Sequence, residues 1–194
     1  MAFNDISSPL HLLLTRRSGK ARDMVAPGPS PEEMTRILAA AMRVPDHGKL
    51  APWRFILVPR ERQAALGDEI AAAYLMAKPN AGRLEVKAMR DFPQQAPALV
   101  VLISQVREKR DIPEWEQRLS AGAAGMAMLL AAHAQGYVGN WLTGWAAYSQ
   151  GVVELLGGAP EDRIAGFFFF GTPSRPLSER PRPAYDEVVT SWRG

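Results

Sequence analysis

Cysteine is absent from the 194 residues of the chain. Without a thiol, the protein cannot form a disulfide, a thiolate nucleophile, an iron–sulfur cluster or a cysteine-ligated zinc site. Histidine is scarce, since His11, His47 and His133 lie far apart in the sequence and form no H-x-x-x-H pair. A histidine-rich metal site is therefore disfavoured, and the sequence predicts no bound metal.

Long apolar stretches are lacking as well. No window approaches the ~20 uninterrupted apolar residues that a membrane span requires. Residues 12–14 are three leucines, too few for the apolar core of a signal peptide, and the arginines follow them instead of preceding them. The sequence thus predicts a cytoplasmic protein with no membrane partner.

A concentrated basic surface is also missing. The net charge is only +3 although the pI is near 9.4, and the arginines are scattered among acidic residues. Proteins that bind nucleic acid usually show a clustered basic face, so a nucleic-acid partner is not expected. Length and an ordinary apolar content indicate one domain over residues 1–194.

The pattern of apolar residues predicts both helices and strands. Ser30, Pro31 and Glu33 are typical of a helix start, because they place an N-cap serine, proline at the first position and glutamate at the third. Gly136 is expected to end the longest helix. Helices are predicted over residues 8–15, 31–42, 64–76, 81–90 and 113–135, and strands over residues 53–58, 98–104, 137–142 and 164–170. The order favours an α+β fold with helices on both sides of a small mixed sheet.

The loop over residues 42–55 combines cationic and titratable side chains with proline. Arg43, His47 and Lys49 lie around Pro45 and before Pro52. Such a stiffened loop favours an anionic ligand with a flat polar ring system. The alternative is a cation that complements a helix C-terminus beside a surface histidine.

A second basic motif, Arg16-Arg17-Ser18, follows the first apolar helix. Planar guanidinium groups beside a hydroxyl suit bidentate recognition of phosphate. Two arginines at the end of a helix can equally complement its dipole, so both interpretations stay open at this point.

The segment from Gly139 to Gly144 follows the longest helix and ends a predicted strand, a position where loops commonly carry ligand contacts. Trp141 within it could instead anchor the core. The chain has no G-x-G-x-x-G motif after a strand, no nucleophile elbow and no paired carboxylates. No catalytic side chain is therefore predicted, and an enzyme of this sequence would depend on a cofactor for its chemistry.

Taken together, these segments resemble the nitroreductase superfamily of FMN-dependent NAD(P)H oxidoreductases, and in particular its short bacterial type. The likeness covers nearly the whole chain. It is carried by Arg16-Arg17-Ser18, Met42-Arg43-Val44-Pro45-Asp46-His47 with Pro52-Trp53, Pro113-Glu114-Trp115-Glu116-Gln117, Ser120-Ala121-Gly122, residues 131–136, Gly139-Asn140-Trp141 and residues 166–173.

The resemblance implies a role for each of these site segments. Arg16, Arg17 and Ser18 would hold the phosphate and ribityl chain of FMN, and Arg43 and His47 would contact the flavin. Trp141, Leu142 and Thr143 would lie along the isoalloxazine and offer backbone contacts. Arg182 would be an additional phosphate contact. The stretch associated with the nicotinamide cofactor comprises Ala131, Ala132, His133, Ala134, Gln135 and Gly136.

The resemblance also implies an assembly and a reaction. The expected assembly is an intertwined homodimer with two FMN sites built from both chains. The small residues from Ser120 onward would then lie either at the subunit interface or inside the monomer. The expected reaction is ping-pong, in which NADH or NADPH reduces the flavin before a nitro compound or similar small-molecule acceptor takes two electrons. Alternatives are dehalogenation or flavin destruction on the same fold, and a flavin-binding protein without turnover.

Overall fold

Five strands form one sheet, and the longest strand lies at its centre. The structure is a computed structural model that describes residues 3–108 and 111–194. The strands are β1 Met24–Val25, β2 Trp53–Val58, β3 Ala98–Ser104, β4 Val138–Leu142 and β5 Arg163–Pro173. The helices are α1 Pro9–Thr15, α2 Pro31–Ala41, α3 Gln63–Ala77, α4 Arg83–Asp91, α5 Glu114–Ala134, α6 Trp145–Tyr148, α7 Gln150–Leu155 and α8 Tyr185–Val188.

The strand order is β1-β5-β3-β2, with β4 also paired to β5. The predicted α+β fold is confirmed, but each of the pairs in the described residues is antiparallel, where a mixed sheet was expected. Strands β3 and β4 run in the same direction, yet β5 lies between them. They therefore do not pair with each other, and the sheet is antiparallel.

Four consecutive phenylalanines of β5 divide the core into two layers. Phe167 and Phe169 point to the face covered by α3, α6 and α7, whereas Phe168 and Phe170 point to the face covered by α2 and α5. All four side chains are fully buried. Because successive side chains of a strand alternate between faces, an unbroken apolar run is the pattern of a sheet covered on both sides.

Most predicted elements agree closely with the structure. The N-terminus of α2 has the predicted capping box, in which the Ser30 hydroxyl accepts from the Glu33 amide and the Glu33 carboxylate accepts from the Ser30 amide. Gly136 follows α5 with φ 86°, as a glycine C-cap requires. Two short helices, α6 and α7, and the two-residue strand β1 were not predicted, because their few residues carry no clear periodicity.

Two glycines of α5 show which of its small residues pack inside the monomer and which are left open for a subunit interface. A Cβ on Gly125 would lie 2.7 Å from Cζ of Phe168, so this side of the helix is packed tightly against the sheet of its own chain. A Cβ on Gly122 would meet nothing within 4 Å. Intrachain packing therefore accounts for the Gly125 side only, and the Gly122 side is open.

The last turn of α5 contains a fully buried histidine. The side chain of His133 is 0% exposed, and its Nδ1 lies 3.1 Å from the Tyr137 carbonyl oxygen, while Nε2 has no hydrogen-bond partner among the described residues. Burial lowers the pKa of His133 to about 4, and the positive charge of Arg16 contributes to this shift. The imidazole is therefore neutral at physiological pH, with the Nδ1 proton donated to the carbonyl.

Among the described residues, none of the helices is both long enough and apolar enough to cross a membrane. The same residues contain no cluster of three or more histidine, aspartate or glutamate side chains that could bind a metal ion.

We predict opposite effects for two substitutions in α5. Gly125→Ala should lower the free energy of unfolding by about 1–2 kcal/mol, because the added methyl group overpacks against Phe168. Gly122→Ala should leave it unchanged or raise it by up to about 1 kcal/mol through better helix propensity. Urea denaturation measures both, and a Gly125→Ala variant as stable as Gly122→Ala would contradict the packing described above.

We also predict that His133 makes the protein sensitive to acid. In the unfolded chain its imidazole binds a proton near pH 6.5, but in the folded chain only near pH 4. Between these values the unfolded state binds more protons, so stability falls as the pH is lowered through this range, by up to about 3 kcal/mol.

Urea unfolding between about pH 7 and pH 4 measures this effect. His133→Asn retains an amide donor for the Tyr137 carbonyl but cannot titrate, so its unfolding free energy should fall less steeply. His11→Asn serves as the control, because His11 is exposed. If His133→Asn has the same pH slope as the wild-type protein, the buried imidazole is not the cause.

Candidate functional site

A small cleft rich in arginine lies where the C-terminal segment meets the chain that follows α1. Its volume is about 140 Å³. Arg17, Lys20, Arg175 and Arg180 contribute positive charges to its lining, and Asp23 contributes a carboxylate. We refer to this feature, defined by these four basic residues, as the basic cleft.

Local contacts fix the path of residues 16–20, which follow α1 without forming a helix or a strand. Helix α1 ends at Thr15, whose hydroxyl donates back to the His11 carbonyl at 2.7 Å. The Asn4 side chain then accepts from the Arg17 amide at 2.8 Å. Farther along, the Asn140 side chain of β4 donates to the Gly19 carbonyl. These bonds hold the Arg16-Arg17-Ser18 motif against β4.

Arg17 is buried beneath the C-terminal segment. Its side chain is only 3% exposed, and Nε donates to the Ser178 carbonyl at 2.9 Å and lies 3.2 Å from a Glu179 carboxylate oxygen. Burial lowers the pKa of Arg17 and the nearby charge of Arg182 lowers it further, whereas Glu179 opposes the shift. One exposed carboxylate therefore only partly compensates this buried cation.

Arg16 and Ser18 lie together, since Nη1 of Arg16 donates to the Ser18 hydroxyl at 3.1 Å. Burial lowers the pKa of Arg16, and the charges of Arg17 and Arg182 add to this effect. Several guanidinium groups thus crowd into one region with few carboxylates. Such crowding is relieved when an anion binds, because each cation then gains a partner.

Arg43 and His47 lie elsewhere on the chain. Arg43 is exposed just after α2, and Nδ1 of His47 lies 2.7 Å from a carboxylate oxygen of Glu116 in the first turn of α5. His47 and Glu116 line a groove of about 270 Å³ together with Pro45, Leu119, Ser120 and Ala123.

The length of α5 gives the distance between these two regions. His47 contacts its first turn, whereas Arg16 lies near His133 in its last turn. At 1.5 Å per residue, the distance along the helix axis from Glu116 to His133 is roughly 25 Å. One chain therefore does not bring the two predicted halves of the site together.

The segment Trp141-Leu142-Thr143 lies at the end of β4. The Trp141 indole donates to the Ala165 carbonyl at 2.8 Å, and its ring centroid lies 4.8 Å from that of Phe168. Leu142 packs against the α3 side of the core, and Thr143 is half-buried. In the described residues β4 pairs only with β5, so its other edge has free backbone groups.

The stretch from Ala131 to Gly136 serves mainly to pack α5 against α2. Ala132 and His133 are buried, Ala131 packs against the core, and Ala134 and Gly136 are exposed. Gln135 accepts from Arg36 at 3.2 Å and donates to the Glu33 carbonyl at 3.4 Å. Each of these side-chain hydrogen bonds is made to α2, away from the basic cleft.

Sequence reasoning missed several residues of these sites. Lys20 could have been found, because it lies two residues after Ser18 in an extended segment and so points to the same side. Arg175 and Arg180 carried no such signal, since their positions depend on how the C-terminal segment folds back. Asn140 and Glu116 occur within the motifs of the family likeness, but nothing in the sequence indicates their contacts with Gly19 and His47.

Comparisons with known proteins agree with this architecture. The family model described as "Nitroreductase family" matches residues 13–172. The protein of Escherichia coli (strain K12) named "Putative NAD(P)H nitroreductase YdjA" is 38% identical over 167 residues, which cover 84% of this chain and 87% of that protein.

Two solved structures have the same fold. A nitroreductase-like family protein from Bacillus cereus matches with a TM-score of 0.80 and 20% identity, over 100% of this chain and 99% of that chain. A point mutant of the FMN- and NADPH-dependent nitroreductase NfnB of Sphigopyxis sp. strain HMH matches with a TM-score of 0.67 and 22% identity, over 94% and 97%. Because the family model and the 38% identical relative each cover most of its length, the chain belongs to the nitroreductase family, whose members are oxidoreductases.

Proposed function

We propose that this protein is an FMN-dependent NAD(P)H oxidoreductase that reduces nitro compounds or similar small acceptors by two electrons per cycle. The observation that carries the proposal is the crowding of Arg16, Arg17 and Arg182 beside the basic cleft. A phosphate dianion is the ligand that such a set of guanidinium groups, with a serine hydroxyl, fits best. The NfnB structure is described as FMN- and NADPH-dependent, in agreement with this choice.

The residues present fit an FMN phosphate. Ser18 supplies a hydroxyl and the guanidinium of Arg16 is only half-buried, so both can reach a ligand. A Cβ at Gly19 would lie 3.0 Å from Cγ2 of Val138, and the absence of a side chain lets this segment lie close to β4. Arg17 anchors the C-terminal segment through Ser178 and thereby keeps Arg182 near Arg16.

The other predicted contacts follow if two chains build each site. Arg43 and His47 of one chain would contact the flavin whose phosphate lies at Arg16 and Ser18 of the other. The separation of roughly 25 Å along α5 supports this arrangement, because phosphate-bound FMN cannot reach both regions of one chain. The free edge of β4 at Trp141, Leu142 and Thr143 offers the backbone groups for the isoalloxazine.

Exposed apolar side chains support the same dimer. Leu10, Leu13 and Leu14 project from α1, and Trp115 and Leu119 from the start of α5, and each is more than half exposed. Tyr185 and Trp192 of the C-terminal segment are likewise exposed, Trp192 at 93%. An intertwined homodimer would cover these exposed apolar side chains, since large apolar surfaces usually mark a protein interface.

In this proposal the protein binds and orients FMN, and FMN supplies the chemistry. When bound, FMN would accept a hydride from NADH or NADPH and deliver two electrons to the acceptor, which is the ping-pong scheme. The arginines hold the phosphate, and their positive field favours the negative charge that reduction creates. No side chain is required to act as an acid or base. The assignment of residues 131–136 to the nicotinamide remains a prediction.

We predict that the purified protein binds FMN and that NADH or NADPH bleaches its visible absorbance under anaerobic conditions. Arg16→Ala should weaken FMN binding by about tenfold to a hundredfold, because a charge-assisted hydrogen bond is lost. Arg43→Ala should weaken it as well. Quenching of flavin fluorescence measures the dissociation constants.

Arg83→Ala is the matched control, because Arg83 is an exposed arginine on α4. Failure of the wild-type protein to take up FMN would refute the proposal. Bound flavin that neither cofactor bleaches would favour a flavin-binding protein without turnover. Unchanged FMN binding in both arginine variants would remove the site assignment.

We predict a homodimer in solution, with twice the 21.3 kDa mass of the chain. Replacing Leu13 and Leu14 together by glutamate should shift the equilibrium to monomer and abolish FMN binding, because each site would lose its second chain. Sedimentation velocity measures the mass. Leu84→Glu is the control, since Leu84 is exposed on α4, and a Leu13→Glu/Leu14→Glu variant that stays dimeric would contradict the interface.

A further inference from the structure

The contact between His47 and Glu116 joins two segments that are distant in sequence. His47 lies in the turn His47–Lys49, and Glu116 lies in the first turn of α5, where the helix dipole favours a negative charge. The distance from Nδ1 to the carboxylate oxygen is 2.7 Å. Both side chains are about half exposed or more. Because exposed ion pairs add little to stability, the effect of this contact is on the imidazole of His47 and not on the stability of the fold.

The hydrogen bond determines which nitrogen of His47 is protonated. A carboxylate can only accept a hydrogen bond, so Nδ1 must carry the proton at a separation of 2.7 Å. In the neutral ring Nε2 is then left as an acceptor with a free lone pair. Free histidine favours the opposite tautomer, with the proton on Nε2. The carboxylate of Glu116 therefore selects the less common form of the imidazole.

The backbone beneath His47 is held independently of this contact. The Asp46 carboxylate accepts from the amides of Leu50 and Ala51 at 3.0 and 2.9 Å, and the Ser120 hydroxyl donates to the Pro45 carbonyl at 2.5 Å. Lys49 and Ala51 have φ values of 57° and 46°, which are strained for residues with a Cβ. Because these contacts already fix the backbone, Glu116 restrains only the side-chain torsions of His47.

We propose that Glu116 is a positioning residue for His47. Its carboxylate holds the imidazole in one orientation and in the Nδ1–H tautomer, so that the loop presents Nε2 to the ligand as a hydrogen-bond acceptor. The proposal rests on the proposed function, in which His47 contacts FMN. Glu116 itself does not touch the ligand. Because Glu116 already holds the ring in place, binding of the ligand does not lose the conformational entropy of ordering it.

The first test reads the tautomer without FMN. Two-dimensional 1H–15N spectra of the imidazole rings distinguish Nδ1–H from Nε2–H, and the chain has only three histidines to assign. At about pH 9, where free imidazole is neutral, the wild-type apoprotein should show His47 as Nδ1–H. Glu116→Met, which retains length but cannot accept, should shift it to Nε2–H. Glu116→Gln can accept from Nδ1–H through its amide oxygen or donate to a deprotonated Nδ1 through its amide nitrogen, so it should give a mixture of the two forms.

The second test measures FMN binding in the same variants. Glu116→Met should weaken binding by about three- to tenfold, the effect expected when one side chain must be immobilised on binding. Glu116→Gln should bind FMN with an affinity between those of Glu116→Met and the wild-type protein, because its amide still orients the ring but does not fix the tautomer. Glu114→Gln is the control, because Glu114 lies in the same helical turn but bonds to Arg118, and it should change neither the tautomer nor the affinity.

The outcomes separate this inference from the proposed function. If Glu116→Met retains the Nδ1–H form, or changes the tautomer without changing FMN affinity, Glu116 is not a positioning residue. If the wild-type protein binds no FMN, the proposed function fails, whereas the spectra of the apoprotein still decide whether Glu116 selects the tautomer.

Discussion

Strand β5 is buried on both faces, and this burial sets the positions of the other elements. Its four phenylalanines alternate between the two sides of the sheet and are inaccessible to solvent, and each contributes roughly 2–3 kcal/mol by leaving water. Both faces must therefore be covered by helices. The strand also pairs with β1, β3 and β4, so its position determines where the edges of the sheet and the segments that follow them lie.

Helix α5 connects the buried sheet with the candidate sites. It lies on the Phe168 face, with Gly125 allowing the close approach, and its two ends define two separate regions. The first turn holds Glu116 against His47, and the last turn holds His133 near Arg16. The length of one helix thus explains why residues expected in a single pocket lie far apart in one chain. The proposed homodimer would join them and would cover Leu10, Leu13 and Leu14 of α1, which are exposed in the single chain.

The sequence predicted local structure well where the signal was local. The capping box at Ser30, the glycine cap at Gly136 and the strands Trp53–Val58 and Ala98–Ser104 all agree with the structure, because propensity and alternation act over a few residues. It was less successful for the short helices α6 and α7. The roles of the site residues follow from the likeness to a family. The structure places Arg17 and Ser18 at the basic cleft, with Arg16 bonded to Ser18, but packs much of residues 131–136 against α2.

Three properties can be read from the residues without a structure: the chain has no thiol chemistry, it forms helices around a covered sheet, and two basic motifs are separated along it. Each follows from residue type or short-range periodicity. The folded chain adds the burial of Arg17 under Ser178, the completion of the basic cleft by Arg175 and Arg180, and the contact between Glu116 and His47. These contacts join residues far apart in the chain, and the packing of β5 and α5 brings them together.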